Sequence, residues 1–534
     1  MTVWPSTAAW RTTPRITAFN PGASPPPVST ASFTLTAYTP TLVAMAVVIA
    51  IDSGTTGVRS IAFDEAGVPL TSSYREFPQY FPQPGWVEHD ADEIWTAVVA
   101  TLGEVAAAID EPIAAIGITD QRETVVVWDK STGRPLHRAI VWQDRRTASR
   151  TAELESAGHL DLVRNTTGLV LDPYFSASKL EWLIANGHIE VGPDTAFGTV
   201  DSWLIWKLTG GAEHVTDTTN ASRTLLFDIS SLQWSDELLE LFGVPASMLP
   251  EVRPSSGRFG VTTGDLPVPA GTPISGVAGD QQAALFGQAC FTPGDAKNTY
   301  GTGSFILMNV GNEVPEPVDG LLTTVGWTLA DGTTTYAMEG AVFVTGAAIQ
   351  WLRDGLGVIS EAAEIGPLAA SVDSSDDVFV VPAFTGLGSP WWDPNARGTI
   401  VGLTRGTTRA HIARATVDSM ALQTRDVIDA MASAGGVGVE SLRVDGGAAV
   451  MELLLQIQAD QIGVPVHRSA ITETTALGAA YLAGIAEGVW SGTDEVSAAW
   501  RSNFTATPAG DQTNANALHQ RWLQALDRSR NWAT

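Results

Sequence analysis

Two short stretches of this 534-residue chain carry residue types suited to phosphate chemistry. The first is Asp52-Ser53-Gly54-Thr55-Thr56-Gly57, set between apolar runs at residues 46–51 and 58–63. Gly54 and Gly57 are expected to take backbone conformations closed to other residues and to turn N–H groups outward, while Thr55 and Thr56 add hydroxyl donors for phosphate oxygens. Asp52, at the end of the first run, is placed to hold a metal through water. The second stretch, Gly301-Thr302-Gly303, lies between runs at 296–300 and 304–310. One such turn reads equally well as an ordinary polar hairpin. Two of them, one opening each half of the chain, read as an internally duplicated phosphate clamp facing a cleft.

Three further sites have the residue types for acceptor or base chemistry. Arg122 and Glu123 join predicted strands at 113–118 and 124–128, so they face outward at a sheet end, where an adjacent loop ion pair is the plainer reading. Asp280 follows an apolar segment and opens a helix, where the dipole favours a carboxylate; spacing alone makes it a capping residue. Gly446-Gly447, between a strand at 442–445 and a helix, lets a flat base or ribose approach the backbone, although such turns also serve packing. The chain contains no Gly-x-x-x-x-Gly-Lys-Ser/Thr loop and no protein-kinase Gly-rich loop, so a nucleotide would be held by the paired turns.

These residues need rigid elements beneath them. The β-branched run 46–51 reads as a buried strand returning through 58–63 as a hairpin. A helix follows Asp90, with Glu93 completing a capping-box pattern and Ile94, Val98, Leu102 and Val105 at helical spacing; His89 beside it reads as structural. Residues 150–245 are mainly helical, a long helix is expected around 408–431, and residues past 495 look like a closing helical tail without site features.

Composition narrows the function classes. With 58 acidic against 30 basic residues, the formal charge of −28 opposes nucleic acids and anionic membranes as partners. Lys occurs only at Lys130, Lys179, Lys207 and Lys297. The single cysteine, Cys290, excludes an intrachain disulfide and fits a reducing cytoplasm. No apolar run is long enough to span a bilayer. Residues 1–44 contain no Asp or Glu and are rich in Pro, Ser and Thr; they are expected to be disordered, or to precede a natural start at Met45.

In order along the chain, Asp52 to Thr56, Gly85 to Asp90, Gly117 to Thr124, Ala139 to Gln143, Asp172 to Ser176, Ala278 to Gln282, Asn298 to Gly303, Gly346 to Trp351, Pro382 to Gly388 and Asp445 to Gly447 resemble the FGGY carbohydrate kinases. The resemblance implies an α/β, two-domain actin-like ATPase (ribonuclease-H-like) fold with duplicated mixed-sheet domains around a central cleft. Its domains would be 45–290, holding the substrate pocket, first phosphate turn and catalytic base, and 291–495, holding the nucleotide, with 496–534 as the tail and a hinge near 288–296. Carried over position by position, it makes Asp280 the general base and Arg122, Glu123, Trp142, Tyr174, Asp280, Gln281 and Phe305 the acceptor pocket. It puts Thr55, Thr56 and Arg59 on the first phosphate turn, Thr302 on the second, and Gly346, Gln350 and Gly446 at nucleotide positions. Asp52 would organise Mg2+ through water. The implied activity is ATP-dependent phosphorylation of glycerol to sn-glycerol 3-phosphate, with glycerol and ATP as small-molecule substrates and a homo-oligomer, dimer or tetramer, as the assembly. A kinase of another small polyol or a ketose, and an actin-like ATPase switch, are the alternatives. The Gly-Gly-x-Arg loop tied to fructose bisphosphate inhibition in some bacterial members is missing between Gly264 and Ile274, so that regulation is not expected.

Overall fold

In a computed structural model, which describes residues 46–436 and 438–533, the opening apolar run forms strand β1 (Val47–Ser53). The expected extension 1–44 lies outside the described residues. Val47, Ile49 and Ile51 enter one core cluster while Val48 and Ala50 enter another. Side chains alternate along a strand, so a run apolar at every position must be covered on both faces.

Around β1 the first sheet adds β2 (Gly57–Phe63), β3 (Pro69–Glu76), β4 (Ile113–Asp120), β5 (Ser256–Val261) and β6 (Pro273–Gly279), in the order β5-β6-β4-β1-β2-β3. β1 and β2 form the expected antiparallel hairpin, and β4 runs parallel to both β1 and β6. The second sheet contains β7 (Asp295–Tyr300), β8 (Ser304–Gly311), β9 (Leu322–Thr328), β10 (Thr334–Val342), β11 (Ser441–Gly446), β12 (Val466–Ser469) and β13 (Ser502–Ala506). Its order is β9-β10-β8-β7-β11-β12-β13. Here too a hairpin, β7–β8, has a parallel strand, β11, on its far side. With β9 set aside, the two sheets repeat one pattern. This is the duplicated mixed-sheet arrangement that the sequence implied.

Helix α1 (Ala91–Ala107) covers the first sheet and is capped by Asp90, whose carboxylate accepts from the Asp92 and Glu93 amides at 3.0 and 3.4 Å. The box is only half closed, because the Glu93 carboxylate accepts from the Tyr80 hydroxyl at 2.9 Å. The expected long helix is present as Arg409–Gly435.

On the other face of the first sheet lie α2 (Asp280–Gly287), which continues from β6, and α3 (Thr474–Ala486), from the second half of the chain. Their approach is set by glycines. A Cβ on Gly478 would fall 1.8 Å from the Ala283 carbonyl oxygen, one on Gly287 2.0 Å from that of Thr474, and one on Gly117 2.2 Å from that of Ala479. Backbone therefore meets backbone where the halves join.

The chain end departs from the expected helical tail. β13 pairs antiparallel with β12 and closes the second sheet. The final helix, Gln512–Asp527, buries Trp522, and His519 Nε2 and Trp522 Nε1 meet the Asp426 carboxylate of the long helix at 2.6 and 2.8 Å. No helix among the described residues is long and apolar enough to cross a membrane.

Gly478→Val should destabilise the protein by about 1–3 kcal/mol or more, because the added volume meets backbone that cannot yield. Thermal unfolding checks this, and an unchanged melting temperature would contradict the packing described.

Candidate active site

The two Gly/Thr turns are built alike. In the first, the Gly54 carbonyl accepts from Gln121 Nε2 at 3.1 Å, that of Thr55 from Gln79 Nε2 at 2.8 Å, and that of Ser53 from the Gln121 amide at 2.9 Å. In the second, the Gly301 carbonyl accepts from the Gly346 amide at 3.1 Å, and that of Thr302 from the Thr345 and Ala347 amides, both at 3.0 Å. With their carbonyls tied to the body of the protein, both turns offer amides and hydroxyls to an anion. Thr56 and Thr302 are exposed.

The glycines of the first turn act differently from the sequence expectation. Neither Gly54 nor Gly57 takes a positive φ. Gly57 is required by contact instead, since a Cβ there would lie 2.5 Å from the Arg75 carbonyl oxygen and 2.6 Å from the Tyr74 hydroxyl. Gly446, in contrast, has φ +86°, and a Cβ on it would lie 2.4 Å from the Tyr300 carbonyl oxygen. Gly346 opens a helix against Gly301, and Gln350 stands exposed on that helix. Thr302, Gly346 and Gly446 thus gather around the second turn. Arg59 is ion-paired to Glu473, the residue preceding α3.

His89 is structural, as expected, and its partners show what it supports. Its Nε2 lies 2.7 Å from Gln79 Oε1 and its Nδ1 3.3 Å from Gln121 Nε2, so one neutral ring steadies both glutamines that hold the first turn. Burial lowers its pKa to about 4, which keeps it neutral.

The seven residues expected as the acceptor pocket line one recess: Arg122, Glu123, Trp142, Tyr174, Asp280, Gln281 and Phe305. Its cavity volume of about 20 Å³ lies far below the roughly 300–1,000 Å³ of sites for drug-sized ligands, which points to a small ligand. Trp142 Nε1 donates to Thr55 Oγ1 at 3.0 Å, joining the recess to the first turn. Asp280 Oδ1 accepts from the Gln281 amide at 2.7 Å and lies 3.3 Å from Arg122 Nε.

Behind this recess is a buried cluster of four charges. Arg122 gives both terminal nitrogens to the Glu339 carboxylate at 2.5 and 3.1 Å, while Arg223 bonds Glu339 at 2.9 Å and Glu123 at 2.7 Å. All four side chains are at most 2 % exposed. Glu123 has φ +62°, a strained conformation for a non-glycine residue that turns its carboxylate into the cluster. Burial acts against the Glu339 charge, but Arg122 and Arg223 outweigh it and hold the carboxyl at about 2. Arg122 also bonds Tyr174 and Gln282, each at 3.2 Å, so its four terminal N–H groups all have partners. An acceptor oxygen on a terminal nitrogen of Arg122 must displace one of the longer bonds.

Sequence reasoning missed Glu339, Arg223 and Lys297. Lys297 is fully buried, and its Nζ reaches Gln281 Oε1 at 2.5 Å and Thr299 Oγ1 at 3.1 Å. A charge in the interior of a strand was the available signal for both Lys297 and Glu339.

Asp52 is pushed up to about 7 by burial, by Asp280 and by Glu473, with Arg59 partly opposing. An aspartate offers only oxygen donors, which suit a hard divalent cation. Among the described residues no group of three His, Cys, Asp or Glu forms a cage. Mg2+ fits here as an ion shared with phosphate oxygens and water, its usual mode.

Both halves of the chain match described families. The model for the FGGY family of carbohydrate kinases, N-terminal domain, matches residues 47–287, and that for the C-terminal domain matches 296–487. Glycerol kinase of Bordetella parapertussis is 54% identical over 497 residues, spanning 91% of this chain and 97% of that protein. Glycerol kinase 2 of Thermotoga maritima is 52% identical over 496 residues, spanning 91% and 99%. Among solved structures, Plasmodium falciparum glycerol kinase with ADP has a TM-score of 0.86 at 34% identity, covering 91% of this chain and 98% of that one. Gluconate kinase from Lactobacillus acidophilus shares the fold, with a TM-score of 0.82 at 22% identity over 91% and 97%.

The charges of the site coexist over a limited pH range. Burial raises the Asp280 pKa against the opposing pull of Arg122 and Lys297, so its charge is lost on acidification before an ordinary aspartate's. Burial lowers Lys297 to about 8, so its charge is lost as pH rises through that value. The kcat/KM profile should be bell-shaped with an alkaline limb near 8, and Lys297→Arg should move that limb upward. A profile flat between about pH 7 and 9 would contradict this assignment.

Proposed function

The chain belongs to the FGGY family of carbohydrate kinases, and from that premise we propose that it transfers the terminal phosphoryl group of ATP to glycerol, giving sn-glycerol 3-phosphate. Identity above 50% to proteins named glycerol kinase, over nearly their whole length, supports the substrate. One feature of the site carries the chemistry. Asp280 opens α2 at the recess with Oδ1 held by Gln281 and Arg122, and no bond among the described residues engages Oδ2. Oδ2 is the oxygen that receives the proton of the acceptor hydroxyl.

Phosphoryl transfer passes through a loose transition state, so alignment and charge stabilisation do most of the work. Thr55, Thr56 and Arg59 on one side, and Thr302 with Gly346 and Gly446 on the other, hold the phosphates and nucleotide. Bound with ATP, Mg2+ neutralises charge on the phosphoryl oxygens, and Asp52 would hold it through water. Glu123 Oε1 is committed to Arg223, which leaves Oε2 to accept from substrate hydroxyls. Trp142 and Phe305 face the C–H edge. Asp280 is a weak base, and a weak base suffices because the hydroxyl becomes strongly acidic only as its bond to phosphorus forms; general bases contribute roughly a hundred- to ten-thousandfold. The ATP requirement supports a cytoplasmic setting, with which the free, buried thiol of Cys290 agrees.

ADP release should depend on acceptor and favour glycerol in a panel with dihydroxyacetone, erythritol, ribulose and xylulose. Asp280→Asn should lower kcat by about a hundred- to ten-thousandfold while leaving thermal unfolding nearly unchanged. Preference for a ketose, or nucleotide turnover independent of every acceptor, would overturn the proposal.

A further inference from the structure

On the second sheet, Lys297 of β7 stands opposite Leu307 of β8, and Leu307 opposite Glu339 of β10. Residues directly paired across strands share a face, so all three project toward α2 and the floor of the recess. Lys297 and Glu339 are fully buried, and each reaches a different lining residue. Lys297 takes Gln281 Oε1, which leaves the Gln281 Nε2 donors for a ligand. Glu339 receives two nitrogens of Arg122 and fixes the plane of its guanidinium. Six of the seven lining residues precede residue 290, yet the side chains that hold two of them come from the other sheet.

We propose that Lys297 and Glu339 are positioning residues that set Gln281 and Arg122 for the acceptor, so the second sheet shapes a recess lined almost wholly by the first half. The proposal deepens the glycerol kinase reading and rests on it. It concerns acceptor binding because Gln281 and Arg122 line the recess, whereas Thr55, Thr56 and Thr302 are held by other residues. Charge balance favours survival of the fold in one variant: Glu339→Gln leaves Arg122 and Arg223 facing Glu123 and Asp280.

Glu339→Gln and Lys297→Met are to be compared with wild type by steady-state kinetics against glycerol and ATP separately, with thermal unfolding as control. Loss of one charge-assisted bond should raise KM for glycerol by about ten- to a hundredfold, with KM for ATP nearly unchanged and kcat falling less than kcat/KM. Glu339→Asp and Lys297→Arg, which keep the charge, should recover part of the loss, and they provide the readout where a neutral variant does not fold. Folded variants with unchanged KM for glycerol, or with both KM values rising together, would overturn the proposal. A wild-type enzyme that used another polyol and not glycerol would refute the substrate reading alone. The same KM split, measured with that polyol, would still decide whether Lys297 and Glu339 position the acceptor.

Discussion

The site rests on four buried charges in balance, Arg122 and Arg223 against Glu123 and Glu339. Moving an ion out of water costs several kcal/mol, and the cost is recovered only when partner and geometry are both right. Both carboxylates here have their partners within hydrogen-bond reach, while Arg223 bonds through Nε and Nη2 and leaves Nη1 without a partner. The cluster also fixes what surrounds it: Glu123 accepts a left-handed backbone, Gly279 lacks a side chain so that Arg122 can pass at 2.6 Å from where a Cβ would stand, and strand β10 carries a carboxylate in its interior. A neutral cluster of this kind orients hydroxyl groups without presenting a net charge to an uncharged ligand.

The phosphate side follows another logic. There the protein commits its carbonyls inward and leaves donors outward, and a neutral histidine holds two glutamines in place to do so. The Trp142 to Thr55 bond connects the two regions, and the charge of Asp280 is felt by both Asp52 and Lys297. On the proposed reading, the donor and acceptor ends of the reaction are built by separate networks that meet at the carboxylate of residue 280.

Much of this was legible in the chain, and the gaps have physical causes. Hairpins, turns and the helix opened by Asp280 follow from local signals, since glycine, threonine and β-branched runs act within a few residues. Arg122 and Glu123 stood out as charges between apolar strands. Their counterpart Glu339 lies 217 residues from Arg122 and in no recognisable motif; only pairing of β8 with β10 brings it in. Gly57 was read as a conformational device and proves to be a spacing one, because the atoms it must avoid, on Tyr74 and Arg75, belong to β3. Strand β13 was missed for a similar reason: its partner β12 lies more than thirty residues upstream, and only the Ser502–Ala506 pairing with Val466–Ser469 reveals it.

The reach of the C-terminal family model and the extent of the folded body differ at the carboxyl end. The C-terminal family model matches only as far as residue 487, while the second sheet runs on to Ala506 and the last helix to Asp527. A polypeptide trimmed at residue 487 would leave β12 with an open edge ready to pair with a neighbouring molecule. It would also strip His519 and Trp522 from Asp426, stranding a carboxylate inside the long helix's packing. Expression boundaries for this protein are therefore set by those two residues, and shortened versions would be lost to aggregation before their chemistry could be measured.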